Sequence, residues 1–458
     1  MVLRRSLHGL ILVVSLVTAN AFAGQVRTGP PPEVRALFDA FTQSMNSGNA
    51  ETWEAFVQER FAPALIQKTT LQQRAGMYAM LAKDFGTITI ERVMREGPEA
   101  PLQLNVKGSS GNGVFIIGID EGSPLRIVSF SVEAGDRGGP AANGVPPLPV
   151  AATMTSEELD RQLDGYFKKL AADEVFSGVA LVARNGVPVF TRAYGLANRE
   201  KHIPNTIRTR FNIGSINKEF TQAAIRQLVR EGKLSLADTL GMFFPSYPQA
   251  TSRAATVEQL LTHRGGLADF FGPEFNNAAK DRFASNADYF TFVSRLPPSF
   301  APGDRNQYCN GCYIALGAIV EKVSGMPYET FVADNVFGRA EMTSTGYLRS
   351  DRPADDIALG YTRREGDGTL RSSLAMHGVT GSAAGGGYST ALDLLTYAKA
   401  VSAGRFPGAE AGLGIAGGAP GTNAVLEVRG EWVVVVLSNF DPPTAERIGL
   451  ALANALSR

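Results

Sequence analysis

The chain is poor in the residues that build metal centres and redox sites. It has 458 residues but only two cysteines and four histidines. The histidines lie far apart, at positions 8, 202, 263 and 377, and no further cysteines accompany the Cys309 and Cys312 pair. This scarcity argues against a zinc site, because structural zinc needs four clustered ligands. We therefore expect no metal and no cofactor.

The two cysteines lie three positions apart, in Cys309-Asn-Gly-Cys312. That spacing fits a redox pair, half of a metal site or a local disulfide. No βαβ pattern surrounds it, which argues against a thioredoxin-like role. A disulfide, which an oxidising compartment permits, and two small buried thiols both stay open.

The chain also has no excess of either charge, with 44 basic and 44 acidic residues. It therefore lacks the basic field that nucleic-acid binding requires. Neither a G-x-S-x-G nucleophile elbow nor an H-E-x-x-H zinc motif occurs. The length allows two or three domains.

The N-terminus has the pattern of a secretory signal peptide. Arg4 and Arg5 precede an apolar run from Leu10 to Val17, and Ala21-Phe22-Ala23 is a small-x-small cleavage site. The run is too short to cross a bilayer, so we expect no transmembrane segment once it is removed. We predict a signal peptide over residues 1–23, cleavage after Ala23, and a periplasmic or secreted protein. A retained signal anchor is the alternative.

Residues 24–133 are predicted to form an α+β domain. Helical spacing recurs over residues 30–58, with a break at Ser47-Gly48-Asn49, and again over residues 70–84. Four strands are predicted after them, at residues 86–94, 102–107, 113–120 and 126–132. Helices followed by an antiparallel meander resemble the cone-shaped NTF2-like fold. We find no catalytic constellation here and expect a structural or docking module of unknown partner.

A stretch rich in Gly, Pro and Ala follows, and residues 134–155 are predicted to be a linker. Residues 156–458 then form the second domain, which begins with a helix capped by Ser156. Asn185-Gly186 between two β-rich runs predicts a hairpin. Two strands and a helix close the chain. Strands from both ends of this domain are expected to share one antiparallel sheet covered by helices.

One pair of residues in this domain points to nucleophilic catalysis. Ser215 precedes Lys218 by three positions at the start of a helical pattern. Residues at i and i+3 lie on one helix face, so the lysine amine can reach the serine hydroxyl. A lysine activates a serine only if its pKa is lowered toward neutral.

Three further segments make the pattern specific. Tyr308-Cys-Asn310 matches Y-x-N, Leu260–Leu267 resembles "LLTHTSGL", and Gly385–Leu394 resembles "GGLYSTxxDL". With S-x-x-K in the right order, residues 156–458 resemble the serine β-lactamase and penicillin-binding-protein superfamily, closest to class C β-lactamase-related esterases. The resemblance implies an antiparallel sheet flanked by helices, with a helical subdomain.

The resemblance also implies roles for these residues. Ser215 would be the nucleophile, with Lys218 or Tyr308 as its base, and the two titrations would be coupled. Asn310 would offer a donor and an acceptor to an amide-like substrate group. We interpret His263 as a structural hydrogen bonder.

The third motif of the superfamily is altered. Ile415 stands where the family has Lys or His, while Gly417 and Gly418 follow as expected. Backbone N–H groups of Ser215 and Gly418 would form the oxyanion hole. The missing cation weakens recognition of the carboxylate of β-lactams and peptides.

We therefore expect a secreted, metal-independent serine hydrolase that cleaves a small-molecule or peptide ester or amide through an acyl-enzyme. The alternatives are a β-lactamase or D-amino-acid peptidase, and a catalytically weak protein that binds the cell wall or a protein partner. The aromatic-rich stretch 268–307 is interpreted as core packing, with a cleft wall as the alternative.

Overall fold

The computed structural model describes residues 31–67, 69, 71–94, 102–120, 122, 124–137, 146, 148–364, 368–408 and 413–457. The predicted signal peptide, its cleavage site after Ala23 and part of the predicted linker lie outside these residues. The chain divides into two compact units, one up to Arg137 and one from Gly138 onward. None of the helices in the described ranges combines the length and the apolar character that crossing a bilayer requires.

Helices precede strands in the first unit, as predicted. The helices are α1 (Pro32–Asn46), α2 (Ala50–Arg60), α3 (Pro63–Ile66) and α4 (Leu71–Phe85). The strands are β1 (Ile88–Met94), β2 (Leu102–Gly108), β3 (Gly111–Ile119) and β4 (Ile127–Arg137), paired antiparallel in that order. Gly48 breaks the helical pattern with a φ of +68°, and the Asn49 side chain caps α2.

The core of this unit is aromatic. Phe41 and Trp53 are fully buried, and their ring centroids lie 5.9 Å apart in an edge-on contact.

Strand β4 is longer than predicted, because Arg137 still pairs with Gly111 at the start of β3. The first four residues of the predicted linker therefore belong to the sheet. The α+β class of the unit is confirmed, while its NTF2-like architecture stays a prediction.

The second unit contains a five-stranded antiparallel sheet in the order β13-β14-β15-β5-β6. Its strands are β5 (Gly178–Arg184), β6 (Val187–Tyr194), β13 (Gly414–Ala419), β14 (Thr422–Arg429) and β15 (Trp432–Ser438), and the short pairs between them are β7 (Leu196–Asn198), β8 (Ile203–Pro204), β9 (Phe211–Asn212), β10 (Tyr361–Thr362), β11 (Arg371–Ser372) and β12 (Tyr388–Ser389). Strands from both ends of the unit share this sheet, as predicted.

The turn between β5 and β6 follows directly from the local sequence. The β5–β6 hairpin turns at Asn185 and Gly186, which have φ values of +51° and +74°. Asparagine and glycine tolerate this left-handed conformation, so the predicted turn is confirmed.

The cap of the first helix of this unit was predicted one residue too late. Thr155 is the cap, because its hydroxyl accepts the N–H of Glu158 and the Glu158 carboxylate accepts the N–H of Thr155.

Helices cover both faces of the sheet. They are α5 (Ser156–Ala172), α6 (Asn217–Arg230), α7 (Leu240–Phe243), α8 (Val257–Leu261), α9 (Pro273–Asn277), α10 (Asn286–Val293), α11 (Asn310–Ser324), α12 (Tyr328–Val332), α13 (Gly338–Ala340), α14 (Ala391–Ser402) and α15 (Thr444–Leu456). Residues of α5 and α15 pack with Val182 and Val434 on one face. Residues of α6, α11 and α14 pack with Leu181 and Val435 on the other.

The contact between α15 and the sheet gives a prediction for stability. A methyl group on Gly449 would lie 2.3 Å from Cγ1 of Val425, a stiff β-branched side chain. We expect Gly449→Ala to lower the free energy of unfolding by about 1–3 kcal/mol, the usual cost of overpacking. Urea denaturation measures it.

The matched control is Gly165→Ala in α5, where a methyl group would meet nothing within 4 Å. This change should raise the free energy of unfolding by roughly 0.5–1 kcal/mol, because alanine favours the helix. Equal effects of the two substitutions would contradict the close approach of α15 to β14.

Candidate active site

Ser215 lies in a single 3-10 turn, Gly214–Ile216, between β9 and α6. Gly214 has a φ of +51°, a conformation that glycine adopts without strain. The turn rests against the edge strand β13. A methyl group on Gly417 would lie 2.1 Å from the carbonyl oxygen of Ile213 and 2.7 Å from the nitrogen of Ser215. Only a glycine at 417 therefore lets the strand support the turn.

Lys218 occupies the first turn of α6 and is 3% exposed. Its Nζ donates to Ser215 Oγ at 3.0 Å, to Asn310 Oδ1 at 2.8 Å and to the Ala384 carbonyl at 2.5 Å. All three acceptors are uncharged. Burial lowers the pKa of Lys218 to about 7, and the charge of Asp269 opposes that shift. The lysine is thus poised to lose and regain a proton near neutral pH.

The glycine-rich turn that follows Gly381 is fastened to the same helix. Three successive carbonyls, of residues 382–384, accept hydrogen bonds from Asn217, Thr221 and Lys218 of α6. The N–H of Ala383 donates to Asn286 Oδ1 at 3.0 Å. This set of bonds fixes the backbone that receives the lysine amine.

Tyr308 also contacts Ser215. Its hydroxyl donates to Ser215 Oγ at 2.5 Å, and Nζ of Lys218 lies 4.7 Å from its ring centroid. Although the residue is 52% exposed, the hydroxyl itself lies in the site. Desolvation raises the pKa of Tyr308. The pKa of the tyrosine therefore moves away from neutral while that of the lysine moves toward it.

Asn310 is held at both ends of its side-chain amide. Its Oδ1 accepts from Lys218, and its Nδ2 donates to Asp269 Oδ2 at 2.8 Å. It is also the first residue of α11. The sequence analysis expected the Asn310 amide to hydrogen-bond the substrate. Part of its hydrogen-bonding capacity is instead used within the protein.

The sequence pattern did not single out Asp269, although it lies two positions after the Leu260–Leu267 segment. Its only signal is a carboxylate in an otherwise apolar run, Leu267-Ala-Asp-Phe-Phe271. Its Oδ1 also accepts the N–H of Phe271 at 3.0 Å. It is a further residue of the site.

His263 supports Tyr308 rather than acting as a base. Its Nδ1 accepts the N–H of Cys309 at 3.1 Å, and its ring stacks on Tyr308 with centroids 4.8 Å apart. Burial, followed by the charge of Lys218, lowers the pKa of His263 to about 4. The predicted structural role of His263 is consistent with these contacts.

The sequence left two alternatives open for Cys309 and Cys312, a disulfide or two thiols. In the structure they are paired as a disulfide.

The altered third motif lies on β13. Ile415 is half-buried against the core and supplies no charge to the site, and Gly418 lines the cleft beside Ser215. The cleft, including its open mouth, holds about 1030 Å³. Its described lining includes Phe270, Phe271 and Phe275, so the aromatic stretch interpreted as core packing also forms a cleft wall.

No lysine, arginine, aspartate or glutamate is among the residues that line the cleft in the described part of the chain. Asn310 and Ser215 line it, while Lys218 lies beneath. Over the same described residues, no group of three histidine, cysteine, aspartate or glutamate side chains could hold a metal ion.

Comparison with known proteins agrees with this geometry. The beta-lactamase family model matches residues 163–411. The chain belongs to the beta-lactamase family. This is a fold family of serine hydrolases in which the relatives are penicillin-binding proteins and an esterase.

Two curated relatives and one solved structure are among the proteins similar to this beta-lactamase family member. A putative penicillin-binding protein PbpX of Bacillus subtilis is 28% identical, over 54% of this chain and 59% of that protein. Esterase EstB of Burkholderia gladioli is 29% identical, over 44% of this chain and 55% of that protein. The chain thus spans little more than half the length of these relatives. The crystal structure of a penicillin-binding protein from Bacillus halodurans is 30% identical with a TM-score of 0.56, over 63% of this chain and 99% of that one.

The lowered pKa of Lys218 predicts a pH-dependent stability. Between about pH 7 and pH 10.5 the folded chain holds this lysine neutral, while the unfolded chain keeps it protonated. The unfolded state then binds more protons, so stability rises with pH. We expect the free energy of unfolding of the wild type, minus that of Lys218→Met, to rise by up to about 1.4 kcal/mol per pH unit in this range.

Urea denaturation from pH 7 to pH 9.5 measures this difference. Lys322→Met is the matched control, because Lys322 is an exposed lysine of α11. A difference for Lys218→Met that stays flat with pH would contradict the lowered pKa.

Proposed function

We propose that the protein is a serine hydrolase that cleaves neutral esters, and activated amides, through an acyl-enzyme. One observation carries the proposal. The amine of Lys218, with a pKa near neutral, donates to the hydroxyl of Ser215 in a cleft whose described lining carries no formal charge. This arrangement provides an activated nucleophile and a site suited to an uncharged substrate.

In the proposed first step, Ser215 Oγ attacks the carbonyl carbon of the ester. Neutral Lys218 accepts the hydroxyl proton, for which the contact of 3.0 Å is suitable. The carbonyl oxygen becomes an oxyanion, and the backbone N–H groups of Ser215 and Gly418 are proposed to stabilise it. The fit of Gly417 against the Ser215 nitrogen supports this assignment.

The tetrahedral intermediate then collapses, and the bond from carbon to the leaving oxygen breaks. We assign protonation of the leaving alkoxide to the hydroxyl of Tyr308, which regains its proton from Lys218. Its contact with Ser215 Oγ supports this order, as does its raised pKa, which favours a phenol over a phenolate. Water then attacks the acyl carbon and gives up a proton through Tyr308 to Lys218. The bond from carbon to Ser215 Oγ breaks, Lys218 returns the proton to Oγ, and the carboxylic acid is released. Lys218 is thus the proposed base and Tyr308 the proposed acid.

The alternatives use the same serine. β-Lactamase or D-amino-acid peptidase activity is supported by relatives named as penicillin-binding proteins, but both substrate classes carry a carboxylate. Ile415 supplies no cation for it. A protein that mainly binds the cell wall or a protein partner is the third possibility, with the first unit as the docking module. We further propose export to the periplasm or the outside, on the N-terminal pattern.

The proposal predicts covalent labelling and a pH-dependent rate. A fluorophosphonate probe should label the wild type, and Ser215→Ala should abolish labelling and lower kcat/KM for p-nitrophenyl butyrate by at least about 10³-fold. Tyr308→Phe should lower it by roughly 10²–10⁴-fold. Because neutral Lys218 is the active form, kcat/KM should rise with pH through about 7.

Ser294→Ala is the control for the labelling, because Ser294 is a buried serine remote in sequence from the motif. No labelling and no ester hydrolysis by the wild type would favour the binding protein over the hydrolase. Hydrolysis that falls as pH rises through 7 would contradict Lys218 as the base.

A cation at position 415 should change the substrate range. We expect Ile415→Lys to raise kcat/KM for nitrocefin by roughly tenfold, through attraction of the substrate carboxylate. Ile415→Met is the control, because it keeps the size of the side chain without the charge. An equal rate for both variants would mean that the absent cation does not limit β-lactam hydrolysis.

A further inference from the structure

Asp269 occupies an unusual place beside the cleft. Its Oδ2 accepts from Asn310, which lines the cleft, and its Oδ1 accepts from the backbone of Phe271, whose side chain also lines it. Asp269 itself is exposed. The carboxylate is therefore fixed in direction by two hydrogen bonds and remains in contact with solvent at the rim.

The rest of the cleft supplies nothing to offset this charge. No charged side chain lines it in the described ranges, and Ile415 replaces the expected cation. No ion pair to Asp269 is found among the described residues. Lys218, on which the charge of Asp269 acts, lies buried beneath the serine and donates to uncharged oxygens.

The charge of Asp269 reaches the reacting groups. It opposes the lowering of the Lys218 pKa that burial causes, and it adds to the rise of the Tyr308 pKa that burial causes. A carboxylate close enough to be felt by the base is also close enough to be felt by a charged substrate. When Lys218 is neutral, as the proposed mechanism requires, Asp269 leaves the site with a negative potential.

We propose that Asp269 is a specificity-determining residue that disfavours anionic acyl groups and favours neutral and cationic ones. The inference rests on the proposed function, since it concerns the substrate of the same serine. In the third motif of the superfamily, a cation is expected to attract the carboxylate of the substrate. A negative charge at Asp269 would have the opposite effect and repel that carboxylate. The preferred substrate is then an ester or activated amide whose acyl part is uncharged or carries an ammonium group.

The expected size of the effect follows from Coulomb's law. Two unit charges about 6 Å apart in water-like surroundings change a rate about threefold. Attraction of a cationic ester and repulsion of an anionic one multiply, so the preference between them should reach about tenfold. Salt should reduce it, because mobile ions screen exposed charges.

The test uses three p-nitrophenyl esters of equal acyl length that end in a methyl, a carboxylate or a trimethylammonium group. We expect kcat/KM of the wild type to fall in the order cationic, neutral, anionic. In Asp269→Asn, the ratio of cationic to anionic kcat/KM should fall about tenfold. In the wild type the same ratio should shrink at about 0.5 M NaCl.

The control is Asp281→Asn, which removes the same charge elsewhere. Asp281 is an exposed aspartate between α9 and α10. It should leave the ratio unchanged. A ratio that is also unchanged in Asp269→Asn, or an equal loss for all three esters, would overturn the inference, since the residue would then only orient Asn310. Failure of the wild type to hydrolyse any of the esters would instead overturn the proposed function.

Discussion

The amino group of Lys218 is removed from water without an acidic partner, and the site is built around that constraint. An ammonium ion is costly to bury unless a counter-charge accompanies it. Here the acceptors are a hydroxyl, an amide and a backbone carbonyl. These groups satisfy the hydrogen bonds of the amine but do not favour its charged form, so the proton is held weakly. The same three contacts also define where Ser215, Asn310 and the glycine-rich turn must lie.

Features that depend on short spacings could be predicted from the sequence. In the site, Ser215 and Lys218 lie three positions apart at the start of one helix. In the fold, Asn185-Gly186 predicts a hairpin whatever surrounds it. Asp269 could not be predicted in this way, because its role depends on Asn310, which lies 41 residues later in the chain. The cap at Thr155 was missed by one residue, since a cap is defined by hydrogen bonds that apolar periodicity does not reveal.

The chain belongs to a family of serine hydrolases, and its own residues set the electrostatics of the site. Ile415 supplies no positive charge and Asp269 supplies a negative one, while the support for the nucleophile is retained. Gly214 and Gly417 still allow the serine turn to touch the edge strand. The residues that support the serine turn, Gly214 and Gly417, are therefore different from the residues that set the charge beside the cleft, Ile415 and Asp269.

The order of strands in the sheet has a consequence for synthesis of the chain. Strand β5 pairs with β15, so Val182 and Val434, roughly 250 residues apart, must meet before the sheet closes. The serine turn leans on Gly417, which leaves the ribosome about 200 residues after Ser215 itself. A nascent chain that carries the whole S-x-x-K and Y-x-N motifs still lacks this support. The nucleophile can therefore be assembled only after the chain has been made through β13.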